Sequence, residues 1–323
     1  MTAIELAVVN CLSRYEVAGR VTVALSGGVD SMVLLDAAHR VLSAGALSAD
    51  AAIELTATHV HHGLSPNADD WVAFCQRQCD ARDIPLTVVR IQLDGNQTQG
   101  QGIEGAARTA RYAALQAQPA ATILAGQHAD DQAETVLHQL LRGTGLAGLA
   151  AMGEMRQLPG GQRLMRPLIG QSRGSIEDYA AQRKLAWITD ESNSDTSYTR
   201  NFIRHELLPV VEARFPQARA ALTRAARHAA ESAAMMEALA KIDLQWDGVV
   251  ASAVALDELP LARQTNALYY WLKWQGINTA SQSQLEDWAA QLFRRAPTDK
   301  PHQAGGHDFL IRRRRGTLVL GRY

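Results

Sequence analysis

A glycine-containing turn near the N-terminus constrains the fold of this chain more than any other stretch. The preceding run Val21–Leu25 is apolar and rich in β-branched residues, which predicts a buried strand. The turn Ser26–Ser31 follows, and the apolar segment after it predicts a helix with Asp30 and Ser31 as N-cap residues. Glycines let the backbone approach a ligand closely, and the unpaired amides of a helix N-terminus attract anions. The stretch therefore predicts a phosphate-binding site.

The turn has the order Ser-Gly-Gly-Val-Asp-Ser and lacks the lysine of a Walker A loop. A phosphate site without a lysine suits an enzyme that cleaves ATP between its α- and β-phosphates, where a metal ion carries much of the charge. The alternative is that this turn has only a structural role and binds no phosphate.

Strands and helices alternate after this turn, which predicts a parallel sheet with helices on both faces. The predicted strands are Val21–Leu25, Ile53–Val60, Leu86–Leu93 and Thr122–Gly126, and the predicted helices are 2–15, the segment from Met32, Ala68–Asp83, Ile103–Gln118 and Ala129–Arg142. Ligands bind outside the carboxyl ends of such strands, so we expect Ser26–Ser31, His59–Gly63 and Gly126–Asp131 to share one crevice.

The C-terminal part of the chain predicts a different architecture. Pro209 and Pro216 indicate a boundary, which gives a first domain at 1–213 and a second at 214–323. An alanine-rich connector helix is predicted at 217–242. A small α+β module follows, with predicted helices at Leu261–Trp274 and Gln282–Phe293 and a hairpin from Phe309 to Leu320 whose turn is Arg312–Arg315.

Composition excludes some classes of protein. The net charge is −1, which excludes a strongly basic nucleic-acid coat but not a local basic patch. No apolar run is as long as a membrane span, and the first residues lack the pattern of a signal peptide. The three cysteines form a poor disulfide framework, which favours a reducing cytoplasm.

A second candidate site lies at the start of the helix predicted from Ala129. Asp131 and Glu134 are three residues apart, so they share a helix face and gain from the helix dipole. The pair is either a well-capped helix start or, opposite a phosphate turn, a set of ligands for Mg²⁺, which prefers carboxylates with phosphate oxygens and water. His128 would orient a phosphate, transfer a proton or cap the helix.

Two further segments are candidates for contact with a polyanion. Glu104, Arg108 and Arg111 fall on one predicted helix, where Glu104 and Arg108 have the spacing of an intrahelical ion pair. The alternative is that these side chains point at a polyanion. The segment Trp187–Arg204 is too polar for an ordinary loop. Its arginines beside Tyr198 suit phosphate contact and base stacking.

Two other patterns are weaker. Gly143–Gly148 has the spelling of a dinucleotide fingerprint, but it follows a helix, so we predict a helix end and a loop. His59, His61 and His62 lack a cysteine partner and predict a ligand-contacting loop rather than a zinc site.

Taken together, these motifs resemble those of the tRNA(Ile)-lysidine synthases, a family of PP-loop ATP pyrophosphatases. The matching residues are Ser26–Ser31, His59–Ser65, Gly102–Glu104, Arg108, Arg111, Tyr112, His128–Thr135, Leu141–Gly145, Arg166–Leu168, Asp190–Asn193, Asp195, Tyr198, Arg200, Asn201 and Arg204. They cover most of 20–210. The first motif alone indicates only a PP-loop protein, and the last, with His128–Gly145, narrows the resemblance to this family.

The resemblance implies an adenine nucleotide alpha-hydrolase-like fold and a reaction in two steps. ATP adenylates the wobble cytidine of an isoleucine tRNA with a CAU anticodon, and free lysine then displaces AMP to form lysidine. It further implies Mg²⁺, a cytoplasmic location and a short form without the last C-terminal domain of longer members. A homodimer stays open.

The resemblance also implies roles for single residues. The nucleotide would contact Ser26, Gly27, Gly28, Val29, Asp30, Ser31, His59 and Gly126. The catalytic set would be Asp30, His128, Asp131 and Glu134, with Asp131 and Glu134 as Mg²⁺ ligands. Lysine and tRNA would contact Glu104, Arg108, Arg111, Arg142, Asp190, Asn193, Tyr198, Arg200, Asn201 and Arg204.

Three alternatives belong to other functional classes. A PP-loop tRNA thiolase would carry Cys-x-x-Cys pairs, whereas Cys75 and Cys79 are four residues apart on a predicted helix, which indicates packing. An ammonia-using PP-loop ligase would not explain Tyr198–Arg204. A non-enzymatic RNA-binding protein would not need the phosphate turn together with Asp131 and Glu134.

Overall fold

A computed structural model describes residues 1–47, 52–61, 63, 65–91, 102–277, 281–293, 303–306 and 308–322. The chain divides into two compact units, Met1–Arg227 and His228–Tyr323, and the division falls inside one long helix. The domain boundary predicted after residue 213 stays a prediction. Among the described residues, no helix combines the length and the apolar character that a membrane span needs.

The first unit alternates helices and strands. Its elements are α1 (Ala3–Arg14), β1 (Gly19–Ala24), α2 (Val29–Ser43), β2 (Ile53–His61), α3 (Ala68–Asp80), β3 (Leu86–Arg90), α4 (Gly102–Gln116), β4 (Thr122–Leu124), α5 (Ala129–Leu141), α6 (Leu146–Leu149), β5 (Met155–Gln157), β6 (Arg163–Met165), α7 (Arg173–Gln182), α8 (Thr199–Phe202), α9 (Leu208–Arg214) and the start of α10 (Ala218–Asp243). The helix end and loop predicted at Gly143–Gly148 are confirmed for Gly143–Gly145, whereas α6 occupies the rest of this segment, so the loop predicted there is wrong. Gly145 is the N-cap residue of this short helix.

The strands of this unit form one sheet. Within the described residues it has six strands in the order β3-β2-β1-β4-β6-β5, and only the β5–β6 pair is antiparallel. This confirms the predicted doubly wound α/β fold. The strand order changes direction between β1 and β4, which is where such sheets bind ligands. The turns after these two strands therefore meet at one crevice, as predicted.

Alternate residues of the central strands face two hydrophobic cores. Val23 and Leu124 pack in a core that also takes residues from α1, α2 and α7. Ile123 and Leu164 face the other side of the sheet and pack with Leu115 of α4. Each fully buried side chain of this size contributes about 2 kcal/mol. Helices on both faces therefore fix the ends of the strands that carry the site.

The second unit is the predicted small α+β module. It contains the rest of α10, α11 (Leu261–Trp274), α12 (Gln282–Phe293) and an antiparallel sheet of β7 (Gln303–Gly305), β8 (Phe309–Arg314) and β9 (Thr317–Arg322). Its core is aromatic and includes Trp271, Trp288 and Phe309. The hairpin turn is Arg315 and Gly316, both with positive φ, rather than four arginines. Strand β8 continues further than predicted because its backbone pairs with β9 up to Arg314.

Candidate active site

The phosphate turn joins β1 to α2 through serine hydrogen bonds. Ser31 Oγ accepts from the backbone amides of Ser26 and Gly27, both at 3.2 Å. Gly28 donates its amide to Ser26 Oγ at 3.3 Å. These bonds are at the long end of the usual range, so a phosphate oxygen can replace the serine hydroxyls as the acceptor of these amides.

The helix after the turn starts earlier than predicted. Val29 is its first residue and Gly28 is its N-cap, so the assignment of Asp30 and Ser31 as N-cap residues is wrong. The reason is that the Ser31 hydroxyl points back to the turn, where it also donates to Gly28 O at 2.9 Å. Asp30 and Ser31 thus lie in the first helical turn, beside the unpaired amides.

Two glycines are required by close packing at the crevice. Gly27 has φ +90°, and a Cβ there would lie 2.5 Å from Ile188 Cδ1, while Ile188 donates its amide to Gly27 O at 2.9 Å. Gly126, just after β4, would place a Cβ 3.0 Å from the backbone carbonyl of Asp30. No sequence pattern indicates Ile188, because its contact with Gly27 exists only in the folded chain. These contacts hold the phosphate turn in one conformation.

Three helix N-termini meet at this crevice, those of α2, α5 and α7. His128 Nε2, at the cap of α5, lies 3.6 Å from Asp30 Oδ1 in the first turn of α2. Arg173, the first residue of α7, donates its amide to Asp130 Oδ2 of α5 at 3.4 Å. The positive ends of helix dipoles attract anions, and the effect of three adjacent ends accumulates. The arrangement therefore suits a multiply charged anion such as a polyphosphate.

Two polar atoms in this crevice are left without hydrogen bonds. Within the described residues, Asp30 Oδ1 and His128 Nε2 are buried and have no hydrogen-bond partner. His128 Nδ1 accepts from the amide of Asp130 at 3.3 Å, which puts the proton of a neutral ring on Nε2. Burial raises the pKa of Asp30, the Asp131 charge raises it further, and the charge of His128 opposes both. Buried polar atoms without partners mark a place where a ligand would complete the bonding.

Asp131 and Glu134 hold two arginines in what we call the arginine clamp: Asp131, Glu134, Arg200 and Arg204. Arg200 donates to Asp131 Oδ1 at 2.7 Å and to Glu134 Oε2 at 2.8 Å. Arg204 donates to Glu134 Oε1 at 2.6 Å and to Asp131 Oδ1 at 3.1 Å. The clamp joins two carboxylates to two guanidinium groups, so its net charge is zero. Glu134 is only 1% exposed, which makes these charge-assisted bonds strong.

The backbone around α8 directs both arginines to the same carboxylates. Arg200 lies in α8, and Arg204 lies in a π-helical segment, Ile203–Leu207, that continues into α9. Asn201 donates its side-chain amide to Asp195 O at 2.9 Å, which fixes the turn before α8. π-Helical segments occur frequently at functional sites. The sequence predicted the arginines but not this local geometry.

The predicted magnesium ligands do not fit a cation in this arrangement. All oxygens of Asp131 and Glu134 accept hydrogen bonds, because Asp131 Oδ2 also accepts from the backbone amide of His128 at 3.0 Å. The guanidinium groups thus stand where a Mg²⁺ ion would bind. Asp30 fits better, since its Oδ1 atom is buried without a partner beside the phosphate turn. A metal role for Asp131 and Glu134 stays a prediction that requires Arg200 and Arg204 to move.

His59 lies beneath the phosphate turn and supports it, and its predicted contact with the nucleotide stays a prediction. Its Nδ1 donates to Leu25 O at 2.9 Å, and Cys75 Sγ lies 3.5 Å from the same atom. The side chain is buried because β2 is covered by α3 at this point. Burial also raises the pKa of Cys75 to about 12 and that of Cys79 to about 11, as expected of packing thiols.

The other residues predicted to contact lysine or RNA are spread over several elements. Arg111 is exposed on α4, and Arg142 is exposed at the C-cap of α5. Tyr198 is the N-cap residue of α8, and Asp190 is half-buried in the segment before it. The side chains of Glu104, Arg108 and Asn193 lie outside the described residues, as do His62 and 92–101.

Comparison with family models identifies both units. A model described as a PP-loop domain matches residues 3–211, and a model described as a TilS substrate binding domain matches 252–319. A solved U34-tRNA thiolase from Methanococcus maripaludis superposes with a TM-score of 0.57 at 17% identity, covering 70% of this chain and 77% of that chain. At this identity the likeness shows the fold alone.

Curated relatives are closer in sequence. The tRNA(Ile)-lysidine synthase of Burkholderia pseudomallei is 44% identical over 281 residues, which cover 84% of this chain and 55% of the relative. That of Azoarcus is 43% identical over 284 residues, 87% of this chain and 61% of the relative. That of Serratia proteamaculans is 41% identical over 303 residues, 92% of this chain and 67% of the relative. The chain thus spans between 55% and 67% of the length of these relatives.

Proposed function

Because the chain belongs to the tRNA(Ile)-lysidine synthase family of PP-loop proteins, we propose that it joins free L-lysine to the wobble cytidine of an isoleucine tRNA with a CAU anticodon. In the first step, the cytidine carbonyl oxygen attacks the α-phosphate of ATP, and pyrophosphate leaves. In the second, the ε-amine of lysine attacks carbon 2 of the ring, AMP leaves, and lysidine remains. The nucleophile comes from the substrate, so no catalytic serine or cysteine is needed.

The observation that carries this proposal is the meeting of three helix N-termini at a lysine-free phosphate turn. The amides of Ser26 and Gly27 and the first turn of α2 would bind phosphate oxygens. The close packing at Gly27 and Gly126 keeps these donors in place before the ligand arrives, so little ordering entropy is lost on binding. A site of this form suits a triphosphate whose pyrophosphate part must be held as it leaves.

Asp30 would hold the magnesium ion that the proposed reaction needs. In the part of the chain that the structure describes, its Oδ1 atom is buried without a hydrogen-bond partner, at the edge of the phosphate turn. When bound, Mg²⁺ neutralises phosphate charge and makes pyrophosphate and AMP better leaving groups. Asp131 and Glu134 would join this site only after the arginine clamp opens.

The arginine clamp would serve the second substrate and the RNA. Arg200 and Arg204 are partly exposed, and guanidinium groups bind phosphates well. If RNA phosphates draw these arginines away, two carboxylates without their guanidinium partners become available for the ammonium group of lysine. Tyr198, the N-cap residue of α8, would stack on a base of the anticodon loop.

No specific observation favours a second function. A thiolase would need reactive thiolates, and burial keeps Cys75 and Cys79 protonated near neutral pH. An ammonia-using ligase would leave the arginine clamp without a role. A cytoplasmic location is part of the proposal, and a homodimer stays open.

The test supplies the chain with ATP, Mg²⁺, radiolabelled lysine and the CAU isoleucine tRNA. We expect AMP, pyrophosphate and RNA-bound lysine in equal amounts. The matched control is a methionine tRNA with the same anticodon, into which little lysine should enter. Incorporation of sulfur or ammonia in place of lysine would overturn the assignment.

A further inference from the structure

Arg173 differs from Arg200 and Arg204 because, among the described residues, no buried carboxylate accepts a hydrogen bond from its guanidinium group. The charges of Arg200 and Arg204 are committed to the arginine clamp. Arg173 instead pairs with Glu177, its neighbour one turn along α7, with Nε donating to Glu177 Oε1 at 2.8 Å. The two side chains are 43% and 50% exposed, and such pairs are worth only about 0.3–0.5 kcal/mol.

The backbone of Arg173 is fixed against the site. Helix α7 begins at this residue, with Ser172 as its N-cap. The amide of Arg173 donates to Asp130 Oδ2 at 3.4 Å, and Ala129 donates its amide to Gln171 O at 2.9 Å. The N-termini of α5 and α7 are therefore tied together, and the side chain of Arg173 leaves from this junction.

The rest of the guanidinium group is available for a ligand. Among the described residues, neither Nη atom of Arg173 has a hydrogen-bond partner. The side chain is also long enough to reach a ligand once its bond to Glu177 is broken. Its position also favours the phosphate turn. The backbone of Arg173 is bonded to Asp130 at the start of α5, and the cap residue of that helix, His128, lies 3.6 Å from Asp30 in the first turn of α2. A cation at this junction attracts an anion bound at the turn.

We propose that Arg173 binds the β- and γ-phosphates of ATP, and the pyrophosphate that forms from them, in place of the lysine that the turn lacks. The inference rests on the proposed function in that ATP is cleaved between its α- and β-phosphates. As the cytidine oxygen bonds to the α-phosphorus, the bond to the bridging oxygen breaks, and its electron pair leaves with pyrophosphate. The Nη–H groups of Arg173 stabilise that growing negative charge.

The experiment measures binding of magnesium pyrophosphate and of AMP to the full chain by titration calorimetry. We expect Arg173→Ala to weaken pyrophosphate binding about tenfold to a hundredfold and to leave AMP binding within about twofold, because AMP lacks the two outer phosphates. Arg173→Lys should lie between the wild type and the alanine variant. The control is Arg20→Ala, which removes an equally exposed arginine, paired with Glu54 at 3.0 Å, from the start of β1.

The outcomes separate this inference from the proposed function, because pyrophosphate binding needs neither lysine nor RNA. Wild-type affinity in Arg173→Ala, an equal loss for AMP, or no pyrophosphate binding by the wild type would overturn the role of Arg173. If lysine does not enter the tRNA while Arg173→Ala selectively weakens pyrophosphate binding, only the proposed substrate is wrong. If the variant makes lysidine with the wild-type KM for ATP, only the role of Arg173 is wrong.

Discussion

Among the residues that the structure describes, two buried polar atoms beside the phosphate turn have no hydrogen-bond partner, whereas every carboxylate oxygen of the arginine clamp has one. The two atoms without a partner are Asp30 Oδ1 and His128 Nε2, and the carboxylates of the clamp are those of Asp131 and Glu134. A buried polar atom without a partner costs about 1–3 kcal/mol, which a ligand can recover on binding. Opening a buried ion pair costs several kcal/mol, which a ligand must supply.

From this difference we expect the two regions to act in sequence. Close packing at Gly27 and Gly126 shapes the phosphate turn in the absence of RNA, so a nucleotide would find the site already formed. The arginine clamp is closed by its own side chains, so we expect that a strong polyanion is needed to open it. We therefore expect ATP to bind without RNA and expect lysine to bind well only with RNA present.

The largest expected effect comes from removing the preformed geometry of the turn. Gly27→Ala forces a residue with a side chain into φ +90° and pushes its Cβ to 2.5 Å from Ile188 Cδ1. Such a shift of the backbone donors should lower ATP-dependent AMP formation about a hundredfold. Initial rates with saturating tRNA and lysine measure it.

The control for backbone strain is Gly28→Ala, with thermal unfolding as the measurement. Gly28 has φ −70°, and a Cβ there would meet Ser26 Oγ at an ordinary 3.5 Å. We expect Gly27→Ala to unfold at a lower temperature than Gly28→Ala. Equal unfolding temperatures would show that the close approach to Ile188 is not a constraint.

The sequence predicted the fold well where elements are long enough to carry a pattern. Strands β1 and β2 and helices α11 and α12 followed from apolar runs and helical spacing. Strands β5 and β6 were missed because each has only three residues, too few for an alternating pattern. The hairpin turn was misplaced because consecutive arginines resemble a turn, while pairing with β9 extends β8 through Arg314.

The sequence also predicted which segments share the crevice, but not which side chains bond to each other. Strand order alone brings the turns after β1 and β4 together. The contact between Arg204 and Asp131 joins residues 73 positions apart, and sequence spacing has no rule for such pairs. The sequence therefore predicted Mg²⁺ as the ligand of Asp131 and RNA as the ligand of Arg204, although in the folded chain the two side chains bond to each other.

We expect an intermediate effect when Glu134, which accepts hydrogen bonds from both arginines of the clamp, is replaced. Glu134→Ala leaves Arg200 and Arg204 facing Asp131 alone, although water can reach both arginines. We expect the free energy of unfolding to fall by about 2 kcal/mol, less than the 3–5 kcal/mol of a fully buried pair. Urea denaturation measures the change, with Glu54→Ala as control.

Glu54 pairs with Arg20 at 3.0 Å on the surface, and its removal should cost less than about 0.5 kcal/mol. The two variants remove the same chemical group from a buried and an exposed ion pair. Equal losses would show that the clamp contributes no more than a surface pair, and the contrast between the two regions would disappear.

The smallest expected effect is a gain in stability rather than a loss, and it comes from a substitution in the phosphate turn. Burial raises the pKa of Asp30 above the 3.8 of a free side chain, so the folded chain binds this proton more tightly than the unfolded chain. At neutral pH the ionised carboxylate therefore destabilises the fold, and acidification through the raised pKa removes this destabilisation.

The variant Asp30→Asn lacks this charge, so in EDTA at pH 7 we expect its melting temperature to lie about 1–3 °C above that of the wild type. This gain should shrink as the pH falls toward ~4, and ATP-dependent turnover should be lost. A lower melting temperature at pH 7 would mean that the fold already satisfies Asp30, and the turn would then resemble the clamp.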